Sequence, residues 1–463
     1  METVNPATGE VLTRYAEHDD EEVARRLARA WSGFEGYRET TFGERTALLR
    51  ALADHLDERR DELARLATLE MGKPIVESRA EVEKCAWLCR HYADEGEDYL
   101  RPEPVETEAH RSYVRYDPLG PILAIMPWNF PYWQVLRHAV PAAVAGNVVL
   151  LKHARNVLGV ATRIEELFVA AGFPEEFLRQ LIVGHDRTEE LAADGRIRGM
   201  TVTGSVGAGR AVGRAAGAHL KKSVLELGGS DPFIVLDDAD LDRAIEVGTS
   251  SRMLNSGQSC INAKRFIVHA SVYDDYVDAL RDTMEAKAVG DPMDEETDVG
   301  PLARDDLRDD LHDQVRRAVK DGATLVIGGE PLDRPGFFFP PTILTDVTTA
   351  NPAGSEELFG PVATIFRVSH DDEAVAVANA STYGLGASVW TRDLDRGERL
   401  AARIESGVVM VNQLVKSDPR LPFGGVKQSG YGRELGELGA REFTNQKTVW
   451  VEAADGGGGP AGG

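Results

Sequence analysis

From residue 121 onward, short apolar runs alternate with helix-length segments, and a chain patterned in this way folds as a parallel, doubly wound α/β sheet. The first runs fall at 122–126, 148–151, 181–183, 200–203 and 224–227, with helix-like stretches at 156–171 and 208–220 between them. A second series follows at 233–236, 266–269, 325–327, 362–368 and 407–411, again with helices between. Two α/β sheets are therefore expected, with the break near Gly228-Gly229. Upstream, residues 20–97 are highly charged and helical in pattern, with Leu49, Leu52, Leu56 and then Leu63, Leu66, Leu69 at helical spacings. Prolines interrupt this pattern over 101–116, which then alternates as an extended arm or hairpin does. The length, 463 residues, suits two or three domains, and the tail GGGGPAGG has nothing to bury and reads as a flexible end.

Charge removes several function classes. Acidic side chains number 76 against 52 basic ones, a net charge of −24. Such a surface repels phosphate backbones and anionic lipid, so neither nucleic acid nor a membrane surface is an expected partner. No run approaches the roughly 20 apolar residues of a membrane span. The N-terminus shows no basic stretch followed by an apolar one, so a soluble, cytoplasmic protein is expected. Only 11 of the basic residues are lysines. An acidic surplus with scarce lysine suits work in concentrated salt, where screening removes self-repulsion. Three cysteines, Cys85, Cys89 and Cys260, cannot pair off completely and argue against a disulfide framework.

Four constellations are able to carry chemistry. Cys260, in NSGQSC, sits among small residues that let a substrate approach, and a nearby cation or helix N-terminus would favour its thiolate. A buried structural cysteine is the plainer alternative. Glu226, in LELGG, is a carboxylate between two leucines at a strand end; desolvation there lifts a carboxyl toward general-base range, whereas a carboxylate turned to solvent does nothing of the kind. The turn TGSVGAGR, directly after the run 200–203, offers backbone N–H groups and a helix N-terminus suited to a pyrophosphate, although its spacing is not G-x-G-x-x-G and a plain tight turn has the same residues. Asn129, in MPWNFP, closes a strand at its carboxyl end, where its amide can serve an oxyanion or simply shape a turn. Cys85 and Cys89 stand at i, i+4 and read as one packed helix face, and no second Cys/His pair completes a metal site.

Taken together and in order, PWNFP, GNVVLLK, TGS with Gly four residues on, LELGG, GQSC, EELFGP and PFGGVKQSGYGREL resemble the aldehyde dehydrogenase superfamily, over nearly the whole chain from NPATGE to QKTVWV. The resemblance implies a Rossmann-like NAD(P)-binding domain at 1–101 and 119–228 and an α/β catalytic domain at 229–428. It also implies a small β oligomerisation arm at 102–118 and 445–453, and a homodimer or homotetramer. It makes Cys260 the nucleophile, Glu226 the general base, and the Asn129 amide with the Cys260 N–H the oxyanion hole. Trp128, Lys152, Arg155, Gly204, Ser205, Gly209, Glu357 and Phe359 fall at the family's cofactor positions. Gly207 stands where the family's turn often has Glu. Arg155 stands where NAD-preferring members often carry a Glu for the ribose hydroxyls; an arginine cannot accept those bonds but pairs with a 2′-phosphate, which leans toward NADP or dual use.

Within the superfamily, the stretch from PWNFP to LLKHA and the DPRLPFGGVKQSGYGREL segment are similar to succinate-semialdehyde dehydrogenases. Arg137, where many members have an aromatic, and Arg420 are the candidates for an aldehyde's distal carboxylate; two plain surface arginines are the alternative. A CoA-acylating member usually lacks the base at the Glu226 position. A catalytically inactive structural member has no need of intact Cys260, Glu226 and Asn129.

Overall fold

Residues 1–453 are described by a computed structural model, and the tail expected to be flexible, 454–463, lies outside the described residues. The alternating pattern builds two separate sheets. The first has six strands in the spatial order Gly430–Tyr431, Lys222–Glu226, Gly199–Thr203, Pro121–Met126, Val148–His153 and Leu178–Gln180, parallel except for the first. The second has seven, in the order Thr324–Ile327, Thr342–Thr345, Val362–Val368, Ala263–His269, Asp231–Val235, Gly386–Trp390 and Val408–Val411, parallel except at the Thr324–Ile327 edge. Pro121–Met126 and Val148–His153 are buried along their whole length, as strands covered on both faces must be.

The charged N-terminal region folds as helices Asp20–Tyr37, Phe42–Glu58, Arg60–Met71 and Ile75–Tyr99. Asp19 caps the first, and Thr41 with Glu44 forms a reciprocal capping box on the second. The arm is a three-stranded antiparallel sheet of Thr444–Val451, Arg111–Pro118 and Glu103–Pro104.

Three details depart from the sequence reading. The strand expected at 181–183 lies instead at Leu178–Gln180, paired with Val149–Leu151. The apolar run is inside, but His18 accepts the Ile182 N–H on its ring and donates its own N–H to the Ile182 carbonyl, which removes that backbone from the ladder. Gly386–Trp390 and Thr342–Thr345 are sheet strands with no visible run: GASVW mixes glycine and serine into the pattern, and TILT offers four residues only. Among the described residues, no helix is long and apolar enough to cross a membrane.

Candidate active site

The carboxyl ends of four neighbouring strands of the first sheet deliver Asn129, Lys152, Gly204-Ser205 and Glu226 to one edge, the position where open α/β sheets hold ligands. The nucleophile candidate comes from the second sheet. Helix Leu241–Met253 ends in a turn where Asn255 (φ 54°, ψ 41°) and Ser256 (φ 54°, ψ 33°) are both left-handed. Gly257 follows at φ 78°, and a Cβ there would stand 2.2 Å from the Gly360 carbonyl carbon. Left-handed non-glycine residues are strained and persist only where their surroundings dictate them.

Those surroundings are a polar lattice. Glu77, on helix Ile75–Tyr99, accepts the Asn255 N–H at 2.7 Å. The Asn255 amide donates to the carbonyls of Asn129 and Gln258 at 2.7 and 3.1 Å. Gly300 donates to the Ser256 hydroxyl and Ala303 to the Gln258 side-chain oxygen, both at 2.9 Å. Buried Arg252 donates to the carbonyls of Gly257 and Gly360. Lys264 Nζ donates at 2.7 Å to the carbonyls of both Ser259 and Cys260.

This lattice ties Asn129 to the Cys260 loop, and Glu226 and Cys260 both act electrostatically on Arg137. Asn129 Nδ2 donates to the Gln258 carbonyl at 3.1 Å, and its Oδ1 accepts from Gln134 Nε2 at 3.1 Å; an amide nitrogen carries two N–H bonds, so one remains for an oxyanion. The Cys260 thiol is half-buried, and burial pushes it up to about 12 against the opposing pull of the Lys264 and Arg137 cations. Glu226 is only 2% exposed, and its Oε1 has no hydrogen-bond partner. Burial holds its carboxyl well above the usual range, with Arg137 opposing and Glu434 reinforcing the shift. A carboxyl in that state is a poised proton carrier rather than a surface charge.

The cofactor positions form a second set along the same edge. Ser205 caps helix Val206–Ala218, accepting the Ala208 N–H at 3.2 Å, and Gly204 donates to the Glu226 carbonyl at 3.0 Å. A Cβ on Gly209 would lie 2.3 Å from the Leu227 side chain, which would have to shift to admit it. Lys152 is 3% exposed, with the His185 ring at 3.3 Å; burial lowers its ammonium. Arg155 is exposed one turn further on. Trp128 and Phe359 meet edge to face at 5.8 Å. Glu357 accepts the Gly229 N–H at 3.0 Å and stands 3.4 Å from Lys264. A helix N-terminus, a buried lysine, an exposed arginine and an aromatic pair fit a dinucleotide. Among the described residues, no cluster of three His, Cys, Asp or Glu side chains suits a metal ion.

The two arginines expected at the distal carboxylate are engaged within the protein instead. Arg137 is 3% exposed and forms an ion pair with Glu434; it also donates to the Thr203 hydroxyl at 3.4 Å and lies 4.9 Å over the Phe423 ring. Arg420 chelates Asp418 at 2.8 and 2.6 Å and rests 5.6 Å over Trp87. Each charge already has a carboxylate, Glu434 for Arg137 and Asp418 for Arg420, contributed by a residue whose role the sequence reading did not assign. Lys264, Glu434 and Glu77 were likewise missed. Lys264 and Arg265 do leave a trace in the sequence, two adjacent cations inside the buried strand AKRFIVH.

A cysteine, an amide donor and a buried carboxyl raised above its usual range, beside a dinucleotide cradle, suit an oxidoreductase. The model of the aldehyde dehydrogenase family matches residues 1–449, and the chain belongs to that family of NAD(P)-dependent enzymes. It is similar to a probable succinate-semialdehyde dehydrogenase [NADP(+)] of Synechocystis sp., 51% identical over 449 residues that cover 97% of this chain and 99% of the relative. The succinate-semialdehyde dehydrogenase [NADP(+)] of Mycobacterium avium is 48% identical, with 99% and 98% covered. Among solved structures, the succinic semialdehyde dehydrogenase of Streptococcus pyogenes in complex with NADP+ superposes with a TM-score of 0.96 at 40% identity, covering 98% of this chain and all of that one. The NAD-dependent aldehyde dehydrogenase of Sinorhizobium meliloti reaches the same TM-score at 33% identity, with 100% and 92% covered.

Proposed function

We propose that the protein oxidises succinate semialdehyde to succinate with NADP or NAD, Cys260 acting as nucleophile, Asn129 as oxyanion donor and Glu226 as general base. The observation that carries the chemistry is the shared Gln258 carbonyl, which ties the Asn129 amide to the Cys260 loop while Glu226 stands by with an unpartnered oxygen. As its proton leaves to solvent water, Cys260 Sγ forms a bond to the aldehyde carbon, the carbonyl π electrons move to oxygen, and the oxyanion meets the free Asn129 N–H and the Cys260 N–H. The adduct collapses to a thioester as its carbon loses hydride, for which a nicotinamide held at the cofactor positions would be the acceptor. Glu226 then takes a proton from water as the water oxygen attacks the thioester carbon, and the carbon–sulfur bond breaks to release the acid.

The cofactor lies along Trp128, Lys152, Gly204, Ser205, Gly209, Glu357 and Phe359. Arg155, exposed and without a salt bridge among the described residues, favours the 2′-phosphate of NADP. The distal carboxylate sits where helix Trp133–Ala145 meets the 414–421 loop, with Arg137 and Arg420 supplying field rather than a direct ion pair. The units 1–101 with 119–228 and 229–428 serve as cofactor and catalytic domains. The arm at 102–118 and 445–453 joins subunits into a homodimer or homotetramer, a reading supported by the largely exposed edge strand Thr444–Val451 with Trp450 45% exposed. The charge and composition support a cytoplasmic protein adapted to high salt.

A panel of aldehydes of graded length, with and without a terminal carboxylate, assayed with both cofactors at fixed salt, tests the proposal. Succinate semialdehyde with NADP should give the highest kcat/KM; equal or better values for butanal would reject the substrate.

A further inference from the structure

We infer that Lys84 is the specificity-determining cation of this site, its ammonium receiving the distal carboxylate of the substrate. The inference rests on the substrate proposed above. Lys84 projects from helix Ile75–Tyr99, with Nζ donating to the Ser417 hydroxyl at 2.9 Å and lying 4.2 Å from the centre of the Trp133 ring. Trp133 follows Asn129 by four residues and opens the helix Trp133–Ala145, and Ser417 belongs to the loop that leads into Phe423. Helix, ring and loop therefore converge on the ammonium from three sides.

What sets Lys84 apart is the absence of a counter-ion. Two carboxylates act on it, and both are engaged elsewhere. Glu81 Oε1 accepts the N–H groups of Tyr132 and Trp133 at 2.8 and 2.9 Å, and its Oε2 pairs with Lys73. Asp418 is chelated through both oxygens by Arg420. No carboxylate among the described residues forms a salt bridge with Lys84, and of its three N–H bonds one has a protein acceptor. Burial and the nearby Arg137 charge together push the ammonium down to about 8, against the weaker opposing effects of Cys85, Asp418 and Glu81. A partly desolvated cation without a partner is costly, and a ligand carboxylate is the group that relieves it.

Its position relative to the chemistry follows from Arg137. Arg137 stands one helical turn after Trp133, on whose ring Lys84 rests, and both follow the Asn129 amide on the same segment. Arg137 itself is neutralised by Glu434. Lys73, Arg137 and Arg420 each have a carboxylate partner, whereas Lys84, on the Trp133 ring, has none. Its place in the highly charged helix, one residue before Cys85, made it indistinguishable from a solvated lysine in the sequence.

The test is kinetic, on the full-length protein with NADP at fixed salt, comparing wild type with Lys84→Met and Lys84→Arg on succinate semialdehyde and butanal. For Lys84→Met, kcat/KM on succinate semialdehyde should fall about 10- to 100-fold, mostly through KM, the size of a lost charge-assisted contact. Butanal should change less than about twofold, and Lys84→Arg should restore most of the loss. In wild type the ratio of the two efficiencies should decline above pH ~8 as Lys84 loses its proton, and Lys84→Arg should flatten that decline because guanidinium stays charged. Equal losses on both aldehydes assign Lys84 a packing role against Trp133 and overturn the inference. A wild-type preference that survives Lys84→Met overturns it while leaving the substrate intact. No wild-type preference for succinate semialdehyde overturns the substrate proposal and the inference together.

Discussion

Replacing Arg137 with methionine separates a residue that holds the site together from one that reads the substrate. Arg137, Glu226 and Glu434 are all buried, at 3%, 2% and 4% exposure. One guanidinium faces two carboxyls that burial has already raised. Removing one partner of a buried ion pair commonly costs about 3–5 kcal/mol. Here protonation sets a ceiling. A carboxyl left without its cation takes up a proton, and at pH 7.5 that costs about 1.36 kcal/mol for each unit above an unfolded value of ~4.3, or about 4 kcal/mol; at pH 5 the same step costs about 1 kcal/mol. The sign follows from linkage: a carboxyl raised in the folded state makes the unfolded chain ionise first, so the penalty grows with pH above ~4.3 and vanishes below it. Urea unfolding followed by tryptophan fluorescence at both pH values and one salt concentration should show Arg137→Met less stable than wild type, with a larger gap at pH 7.5. Arg137→Met/Glu434→Gln should recover most of that gap, and activity of the single variant should fall on succinate semialdehyde and butanal alike. Unchanged stability at both pH values, with a loss confined to succinate semialdehyde, would refute this reasoning and make Arg137 the recognition cation.

Cys260→Ser should abolish turnover while cofactor binding, measured by fluorescence titration, persists; a residual rate of about a tenth of wild type or more removes Cys260 from the nucleophile's role, since a hydroxyl is far weaker near neutrality. Glu226→Gln should release about one NAD(P)H per active site in a burst and then turn over about 10²–10⁴-fold more slowly. The absence of a burst in stopped-flow absorbance places Glu226 before hydride transfer or assigns the base elsewhere. Arg155→Glu should lower kcat/KM for NADP about 10- to 100-fold through loss of a charge-assisted phosphate contact and spare NAD; parallel loss with both cofactors argues against a 2′-phosphate at that residue.

The parts of this molecule legible in its sequence are those written in local pattern. Strands such as Pro121–Met126 and Val148–His153 are continuous apolar runs because both faces are covered, and their ends carry Asn129 and Lys152. Gly386–Trp390 escaped because a buried strand does not need a continuous run, and 181–183 misled because burial is not sheet pairing once His18 binds the Ile182 backbone. Individual charges were legible as residues and illegible as partners. Arg137 and Arg420 stood out by position, but Glu434 and Asp418 decide what those arginines are free to do. Lys84 is the converse case, ordinary in sequence and distinctive only after Glu81 and Asp418 are seen to be engaged by others.

The same dependence on partners explains why motifs as far apart as PWNFP and GQSC act as one. The amides of Asn129 and Asn255 both donate to the Gln258 carbonyl, and Asn255 also donates to the Asn129 carbonyl, so the oxyanion donor and the cysteine loop cannot move independently. The left-handed turn at Asn255 and Ser256 is what aims that carbonyl; Glu77 and Gly300 hold the turn from two other segments, and Arg252, near the end of the preceding helix, donates to the Gly257 carbonyl. A relaxed loop would remove the backbone strain and with it the registry between Sγ and the amide. The strain is therefore tolerated at the point where preorganisation matters most, because an oxyanion donor helps only when it already stands where charge will appear.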